Sequence, residues 1–416
     1  MGTLFGDIKK SKLVNYGLAE AVSKSLNISV LFLLPLLVAV DEFGFIALMI
    51  ITEQVLVMTL MLGQNTALLR FLPKFSNKNR VFEAVRKSVI KRTLLIVVLL
   101  IFCLAYFVAT LNFKDGVALV LTLCTVPFLI NIEITLAKYR AVDQVQSYVF
   151  LRLFFQILKI VFVIVLFAYG FSLGSLSYSL GVLIAASISS FLLLAFTEKS
   201  KTKFTSNKKV TKLFFIFGLP LGLQVGINIF YTVTDRYLLS YFVGLEDVSI
   251  YSFSYSVATT VLFAIQIVII SFISDVYKNS LVVDAFSELN KLFARSLIFV
   301  GLLSLIIYLI VFPLILDIYP DEYARGKEVV KWILISNLFH VGYLFAFYRL
   351  TIVKKVKLIP IFTLGAFLVN LILNIVLIPI YFIEGAAVST AISELFLFIC
   401  LLLLSFHRAE LNVKRL

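Results

Sequence analysis

The sequence predicts an all-α polytopic membrane protein with about twelve transmembrane helices, because it is strongly hydrophobic and its apolar runs have the length of a bilayer. Hydrophobic residues make up 61% of the 416 residues and charged residues only 14%, with a mean hydropathy of +1.06. Soluble domains are nearer half apolar and a quarter charged. A third observation, the placement of the basic residues, predicts how the spans are oriented.

The apolar runs, taken in chain order, are each close to the ~20 residues that cross a membrane as a helix. The first run has no signal-peptide cleavage pattern, so the first span is expected to be retained. The predicted spans lie near residues 14–40, 44–71, 90–110, 117–137, 147–169, 175–197, 213–242, 248–273, 296–316, 328–350, 358–381 and 386–405.

The net charge of +14 follows the predicted topology. With the N-terminus inside, about 27 of the Lys and Arg side chains fall in cytoplasmic segments and about 4 in external loops, as the positive-inside rule requires. Both termini are therefore predicted to be cytoplasmic. Because this topology accounts for the basic balance, nucleic acid is not an expected partner.

No metal, cofactor or catalytic site is predicted. Cys103, Cys124 and Cys400 lie within apolar runs, and His340 and His407 are the two histidines of the chain. Neither set forms a metal-ligand pattern. The sequence has no nucleotide-binding loop and no hydrolase motif, and its predicted external loops are too short for a catalytic domain. The chain is therefore not expected to be an enzyme.

A basic stretch, "EKSKTKFTSNKKVTK" (198–212), divides the chain into an N-terminal six-helix lobe (1–197) and a C-terminal six-helix lobe (213–416). The halves echo each other in the segments "DEFGFIAL" (41–48) and "EDVSIYSF" (246–253). Parallel repeats of six spans are a common plan in transporters.

The fifth predicted span carries a polar stripe. Arg152, Gln156 and Lys159 follow the spacing i, i+4, i+7, which places them on one helical face. A charge at this depth costs roughly 2.5–3.5 kcal/mol on insertion scales, so it faces a cavity or a partner. For Lys159 and Arg152 the sequence leaves two interpretations open, a cationic lumen or an ion pair with an acid on another span.

The first two spans add further candidates. Lys24, with Glu20 and Asn27, forms a stripe that could line a cavity, and a local Glu20–Lys24 pair is the alternative. In the second span Glu53 and Gln64 are predicted to share a face. Glu53 is a candidate for ion coupling.

The seventh span carries a second continuous polar stripe. Its members, four residues at i, i+4, i+7 and i+11, are Gln224, Asn228, Tyr231 and Asp235. Asp235 is expected to face a cavity and couple ions, whereas the adjacent Arg236 is expected to reach the outer headgroups. Three glycines form a separate face for close helix packing: Gly218, Gly222 and Gly226.

Near the C-terminus, Asn370 and Asn374 lie one turn apart in an apolar run, where they serve either as helix–helix contacts or as cavity residues. Pro379 is expected to end that helix, and "EGAA" (384–387) to form a tight turn before the last span. Glu394, about eight residues into the last span, is the third candidate for ion coupling.

These segments resemble the polysaccharide exporter family, and in particular the O-antigen (Wzx-type) lipid-linked oligosaccharide flippases of the multidrug/oligosaccharidyl-lipid/polysaccharide exporter superfamily. The resemblance is carried by three segments, "LPLLVAVDEFGFIAL" (34–48), "GLPLGLQVGINIFYTVTDRYLLSYFVGLEDVSIYSFSYSV" (218–257) and "NLILNIVLIPIYFIEGAAVSTAISE" (370–394).

The resemblance implies two six-helix lobes around a central cavity, a bacterial inner-membrane location, and alternating access driven by an H⁺ or Na⁺ gradient. The implied substrate is an undecaprenyl-diphosphate-linked glycan repeat unit, destined for O-antigen lipopolysaccharide or another surface polysaccharide. Glycan polymerase and chain-length proteins are implied partners. A dianionic diphosphate would need cations at membrane depth, which Lys24, Arg152 and Lys159 could supply.

Three alternatives differ from a flippase in chemistry. A cation-coupled drug exporter of the same superfamily would favour acids and aromatic residues in its cavity, whereas the deep charges of the fifth span are basic. A membrane glycan polymerase or ligase would need a large external loop. A scaffold without transport activity would not need costly charges in several spans.

Overall fold

The computed structural model describes residues 2–108, 113–169, 174–196, 208–278, 282–352 and 358–413. Within these segments the chain is helical and contains no strand. The α-helices are α1 (Gly2–Leu33), α2 (Val40–Met61), α3 (Gln64–Phe71), α4 (Lys78–Val108), α5 (Phe113–Ala141), α6 (Val145–Ala168), α7 (Ser175–Phe196), α8 (Lys208–Phe242), α9 (Leu245–Lys278), α10 (Val282–Ile306), α11 (Phe312–Leu316), α12 (Lys327–Ile352) and α13 (Ile359–Val413).

The predicted fold class is confirmed. In the described part of the chain, 9 helical stretches have the length and apolar composition of a membrane span. The last of them, Ile359–Phe406, is 48 residues long and holds two predicted spans. Helices α4 and α9, at 31 and 34 residues, are also long enough to cross a bilayer. The chain is thus an all-α polytopic membrane protein with about twelve spans.

The second predicted span is broken, which corrects the expectation of one helix over 44–71. Leu62 and Gly63 have positive φ values of 45° and 66°, and they separate α2 from α3. A Cβ at Gly63 would lie 2.3 Å from the carbonyl oxygen of Gly218, so a larger residue does not fit there. Because a new helix begins at Gln64, Glu53 and Gln64 do not lie on one continuous helix as predicted.

Glycines of α8 pack directly against the break between α2 and α3. A Cβ at Gly222 would lie 2.6 Å from the Cα of Leu62, and one at Gly218 would lie 2.6 Å from the Leu62 carbonyl oxygen. At Gly226 the nearest atom, in Thr59, is 3.8 Å away, an ordinary contact. The predicted packing face is confirmed at Gly218 and Gly222, where the backbones of two segments touch.

The chain reverses between the last two spans at Phe382, where φ is 51°. This position corrects the expectation that Pro379 ends the helix and that residues 384–387 form the turn. Gly385 lies just after the reversal, and a Cβ there would be 2.4 Å from the carbonyl oxygen of Leu377. The small residues therefore allow the two helical arms to lie in contact, which is the packing role predicted for them.

The helices form two compact units, each considered by itself. The first consists of Met1–Val38 with Phe45–Ile229, and the second of Ala39–Gly44 with Phe230–Leu416. The core of the first unit is an apolar cluster around Phe82, Ile130 and Tyr148. Most of the predicted basic linker, residues 198–212, lies outside the described residues, and the predicted lobe boundaries stay a prediction.

Candidate functional site

Lys159 lies deep in the first unit. It is 14 residues into α6, about 21 Å along the helix at 1.5 Å per residue. Its side chain is 7% exposed, and its Nζ donates a hydrogen bond to Asn27 Oδ1 of α1 at 2.9 Å. Glu53 of α2 lies within electrostatic range of the ammonium group. Both interpretations of Lys159, a cation of the lumen and a partner of an acid on another span, are compatible with this position. The buried ammonium group has an amide partner, and a carboxylate lies nearby.

Two further side chains complete this group. Gln156 is buried one turn before Lys159, and its Oε1 has no hydrogen-bond partner among the described residues. The ring centroid of Tyr178, on α7, lies 5.9 Å from Lys159 Nζ. We call Asn27, Glu53, Gln156, Lys159 and Tyr178 the Lys159 cluster. It combines a buried cation with an amide oxygen that has no hydrogen-bond partner among the described residues, which is unusual inside a helical bundle in a membrane.

Arg152, about two turns before Lys159 in α6, is the centre of an ion-pair network. Its Nη1 donates to Glu133 at 2.7 Å, and its Nη2 donates to Glu20 at 3.2 Å. Arg140 donates to the other oxygen of Glu20 at 2.5 Å. The hydroxyl of Tyr148 contacts both Glu20 and Arg140. We call these five residues the Arg152 network.

The Arg152 network favours the ion-pair interpretation of Arg152 that the sequence left open. Glu20 of α1 pairs with Arg140 of α5 and with Arg152 of α6. Arg152 is likewise paired with carboxylates, so a phosphate group would have to displace one of them in this state. Lys24 lies exposed on α1. Substrate-binding roles for Lys24 and Arg152 stay predictions.

Asp235, in the second unit, is buried with its own counter-ion. It lies 7 residues before the end of α8, about 10 Å along the helix. Its Oδ1 accepts from Arg236 Nη1 at 3.0 Å, and its Oδ2 accepts from the Tyr251 hydroxyl at 2.5 Å. The Arg236 guanidinium also lies 4.0 Å from the ring centroid of Tyr255. We call Asp235, Arg236, Tyr251 and Tyr255 the Asp235 cluster.

The expectation that Arg236 reaches the outer headgroups is wrong. The residue is 6% exposed, because its long side chain folds back onto Asp235 and stacks on an aromatic ring. Adjacent residues of a helix point about 100° apart at the Cβ atoms. The Arg236 side chain, with three methylene groups, is long enough for its guanidinium to reach Asp235 in spite of that angle. The desolvated carboxylate then accepts a charge-assisted hydrogen bond, which stabilises the inward position.

Glu394 lies in the second arm of α13, 12 residues after the Phe382 reversal and about 18 Å along the helix. Its Oε2 lies 3.4 Å from His340 Nδ1 of α12, and this oxygen has no hydrogen-bond partner among the described residues. The hydroxyl of Tyr231 of α8 donates to the neighbouring Ser393 at 3.2 Å and lies within electrostatic range of Glu394. Compared with Asp235, this carboxylate is less completely satisfied.

The remaining predicted residues lie in different surroundings. Asn370 and Asn374 are almost fully buried, and the amide of Asn374 donates to Asn370 Oδ1 at 2.9 Å. Asn370 in turn donates to Ser393 at 3.3 Å, so these amides link the two arms of α13. On α8, Gln224 is half-buried and Asn228 is exposed. Cavity roles for all four stay predictions.

Five tyrosines next to the charges were missed by the sequence analysis. One available signal was that Tyr148 lies four residues before Arg152 and so extends the same stripe. Tyr251 and Tyr255 are also four residues apart, but their distance in sequence from Asp235 gave no sign of contact. Tyr178 lies beside Lys159, and the Tyr343 ring centroid lies 5.3 Å from that of His340. Both tyrosines lie on helices without a charged stripe, so the sequence pattern did not mark them.

Among the described residues, no group of three or more His, Cys, Asp or Glu side chains could hold a metal ion. The ionisable groups inside the spans instead form acid–base clusters with tyrosine and amide partners. Such clusters can bind an anionic group, exchange a proton or hold helices together.

Comparison with known proteins narrows these possibilities. Residues 12–277 match the family of polysaccharide biosynthesis proteins, and the match covers more than half of the chain. The chain belongs to this family. No curated protein matches the sequence significantly.

Solved structures of membrane transporters share the fold. The lipid II flippase MurJ, in an inward closed conformation, is 18% identical with a TM-score of 0.74, and the match covers 92% of this chain and 86% of that chain. An inward-facing multidrug resistance MATE family transporter of the MOP superfamily is 11% identical with a TM-score of 0.75, over 92% and 95% of the two chains.

A third match is a MOP superfamily transporter from Pyrococcus furiosus, 12% identical with a TM-score of 0.57, over 96% of this chain and 95% of that chain. At such identities the likeness shows the fold and not the substrate. This member of the polysaccharide biosynthesis family therefore has the fold of flippases and multidrug transporters.

Proposed function

We propose that this chain is a flippase that moves undecaprenyl-diphosphate-linked glycan repeat units from the cytoplasmic to the periplasmic leaflet. The observation that carries the proposal is that a member of the polysaccharide biosynthesis family has the fold of a lipid II flippase. The proposed location is the bacterial inner membrane, with both termini in the cytoplasm. The repeat units would serve O-antigen or another surface polysaccharide, and glycan polymerase and chain-length proteins are the proposed partners.

The chain is proposed to act as a transporter and not as an enzyme. Flipping changes no covalent bond, so it needs a binding site that accepts a polar head group at membrane depth. Lys159 supplies a buried cation at that depth. The side-chain oxygen of Gln156 has no hydrogen-bond partner among the described residues and could accept a hydrogen bond from a sugar hydroxyl. The diphosphate would compete with Asn27 and Glu53 for the ammonium group, which suits a site that must bind and then release.

Transport is proposed to proceed by alternating access driven by an H⁺ or Na⁺ gradient, with no other cofactor. Of the three predicted coupling acids, Glu394 is the strongest candidate because one of its oxygens lacks a hydrogen-bond partner among the described residues. Glu53 is the second candidate, since it lies near Lys159, the residue that is proposed to bind the diphosphate. Asp235 is the weakest, because Arg236 and Tyr251 already satisfy it.

A drug exporter is the second candidate, favoured by the match to the multidrug resistance transporter. Such a protein would take organic cations into a site that attracts positive charge. Lys159 opposes this, because a buried ammonium repels a cationic drug at short range. The two candidates therefore differ in the sign of charge that they carry.

The experiment is a flipping assay in proteoliposomes. A fluorescent undecaprenyl-diphosphate glycan is reconstituted with the protein, and its arrival in the outer leaflet is followed with a membrane-impermeant quencher. The wild type is expected to accelerate flipping above protein-free vesicles, and Lys159→Met to lose this acceleration. Lys159→Arg should keep most of it, because the cation is retained.

Lys291→Met is the matched control, since Lys291 is exposed and pairs with Glu288 on its own helix. It should flip at the wild-type rate. The same vesicles are then tested with a fluorescent organic cation. Transport of the cation without acceleration of the glycan lipid would reject the flippase in favour of a drug exporter.

A further inference from the structure

A long apolar groove lies in the second unit between α10 and α12. Its volume is about 520 Å³, within the ~300–1,000 Å³ range of small-molecule sites. The wall on one side is formed by Ile298, Gly301 and Leu305, and the wall on the other by Leu334 and Leu338. None of the proposed substrate or coupling residues lines it.

The groove exists because α10 has no side chain at Gly301. A Cβ at Gly301 would meet no atom within 4 Å, so the glycine leaves open space. Directly after α10 the helix widens into a π-helical turn over Ile307–Val311, which alters the side-chain register. The neighbouring Leu302 and Leu309 are 58% and 65% exposed, which is typical of a surface in contact with lipid chains.

One end of the groove carries ammonium groups and aromatic rings. Lys331 lines this end, and Tyr308 lies beside it. The Nζ of Lys327 is 5.8 Å from the Tyr308 ring centroid, and Lys331 lies at the same distance from the Trp332 ring. Lys331 also pairs with Glu328, an exposed partner that an anion could replace, and Glu384 lies within electrostatic range of the same ammonium group. Two ammonium groups thus lie at this mouth, and Trp and Tyr mark the headgroup level of a bilayer.

Between the mouth and the apolar walls lies a buried hydroxyl without a partner. Ser304 lines the groove one turn before Tyr308, and its Oγ has no hydrogen-bond partner among the described residues. Rotation of this short side chain would aim the hydroxyl into the groove, where it could donate to a carbonyl oxygen. In a glycerophospholipid an ester carbonyl lies at this place, between the phosphate and the chain.

We propose that this groove is a binding site for a glycerophospholipid. The phosphate meets Lys331 and Lys327, an ester carbonyl accepts from Ser304, and one acyl chain lies along Gly301. The order along the groove, cation then hydroxyl then apolar wall, matches the order of groups in such a lipid. A polyprenyl phosphate has the anionic head and the apolar chain but no ester, so it would leave Ser304 unsatisfied. The site is independent of the proposed transport function.

The test uses the full-length protein purified in detergent and titrated with phosphatidylglycerol, with bound lipid counted by native mass spectrometry. The wild type should bind one lipid more tightly than the rest. Gly301→Leu fills the groove and should abolish this tight binding. Lys331→Gln and Ser304→Ala should each weaken it about tenfold, the factor expected for loss of about 1.4 kcal/mol.

Two controls separate the groove from general effects on the protein. Gly17→Leu makes the same change at an exposed glycine where a Cβ also meets nothing within 4 Å. It should bind lipid as the wild type does. Lipid-free thermal stability is measured for every variant, so that loss of binding is scored only in folded protein.

Retention of the tight lipid by a folded Gly301→Leu variant would overturn the proposal. So would equal or tighter binding of a polyprenyl phosphate in a parallel titration of the wild type, because the ester contact would then contribute nothing.

Discussion

Replacing Lys159 by methionine, alone and together with Glu53→Gln, tests whether this lysine is a structural partner, a substrate ligand or both. Methionine keeps the length of the side chain and removes the charge. In the single variant, Asn27 loses its donor and Glu53 loses the neighbouring cation. Removing one partner of a buried pair costs roughly 3–5 kcal/mol.

A second effect opposes that cost in Lys159→Met. Removing a charge from membrane depth is worth roughly 2.5–3.5 kcal/mol on insertion scales. Lys159 is 7% exposed, so little of this charge is now relieved by solvent. Taking the centres of these two ranges, the cost of stranding the carboxylate exceeds the gain from removing the lysine charge by about 1 kcal/mol, so the single variant should lose about 1 kcal/mol of unfolding free energy. The double variant strands no charge and should return to the wild-type value or exceed it.

The assay is reversible unfolding in mixed micelles for the wild type, both single variants and the double variant. A coupling energy above about 0.5 kcal/mol identifies Glu53 and Lys159 as partners. Glycan flipping is measured on the same preparations. If Lys159 binds the diphosphate, the double variant should be stable yet inactive.

Two results would refute this reasoning. A coupling energy near zero would mean that Glu53 does not serve Lys159. A double variant that flips the glycan lipid at the wild-type rate would remove Lys159 from the substrate site, whatever its effect on stability.

Other parts of the structure lead to further expectations. Gly222→Ala should destabilise the protein by roughly 1–3 kcal/mol, because the new methyl group would clash with the backbone, whereas Gly226→Ala should be neutral or stabilising; thermal unfolding of the pair checks this. Arg236→Met should cost roughly 3–5 kcal/mol, and adding Asp235→Asn should recover most of it; full stability in Arg236→Met would mean that the ion pair contributes nothing. Cysteine labelling should find residue 322 accessible from the periplasmic side of the membrane, and labelling only from the cytoplasm would reverse the predicted topology.

Helical periodicity was sufficient to predict much of the membrane-depth chemistry. Hydrocarbon excludes charge, so a deep Lys159 or Glu394 was conspicuous in the sequence alone, and the spacing i, i+4, i+7 placed Arg152, Gln156 and Lys159 on one face. The small-residue face of α8 was visible because Gly218, Gly222 and Gly226 recur at intervals of four residues. These features are local, because they depend on residues within a few turns of one helix.

The partners of these residues were decided by tertiary packing. Glu20 pairs with Arg140 and Arg152 because the packing of α5 and α6 against α1 brings two guanidinium groups to it, and these lie more than 100 residues away in the sequence. Arg236 turned inward because a desolvated carboxylate and a tyrosine ring stabilise its charge better than a partial approach to the headgroups.

Backbone breaks were also beyond the sequence pattern. Hydropathy runs evenly through Leu62 and Phe382, but both have positive φ, a conformation that costs a non-glycine residue energy. Contacts elsewhere in the fold supply that energy, such as the approach of Gly222 to Leu62 and of Gly385 to Leu377. The sequence by itself determined which segments cross the membrane and which faces are polar, since both follow from transfer out of water. Which charges meet, and where helices break, depended on contacts between residues far apart in the chain.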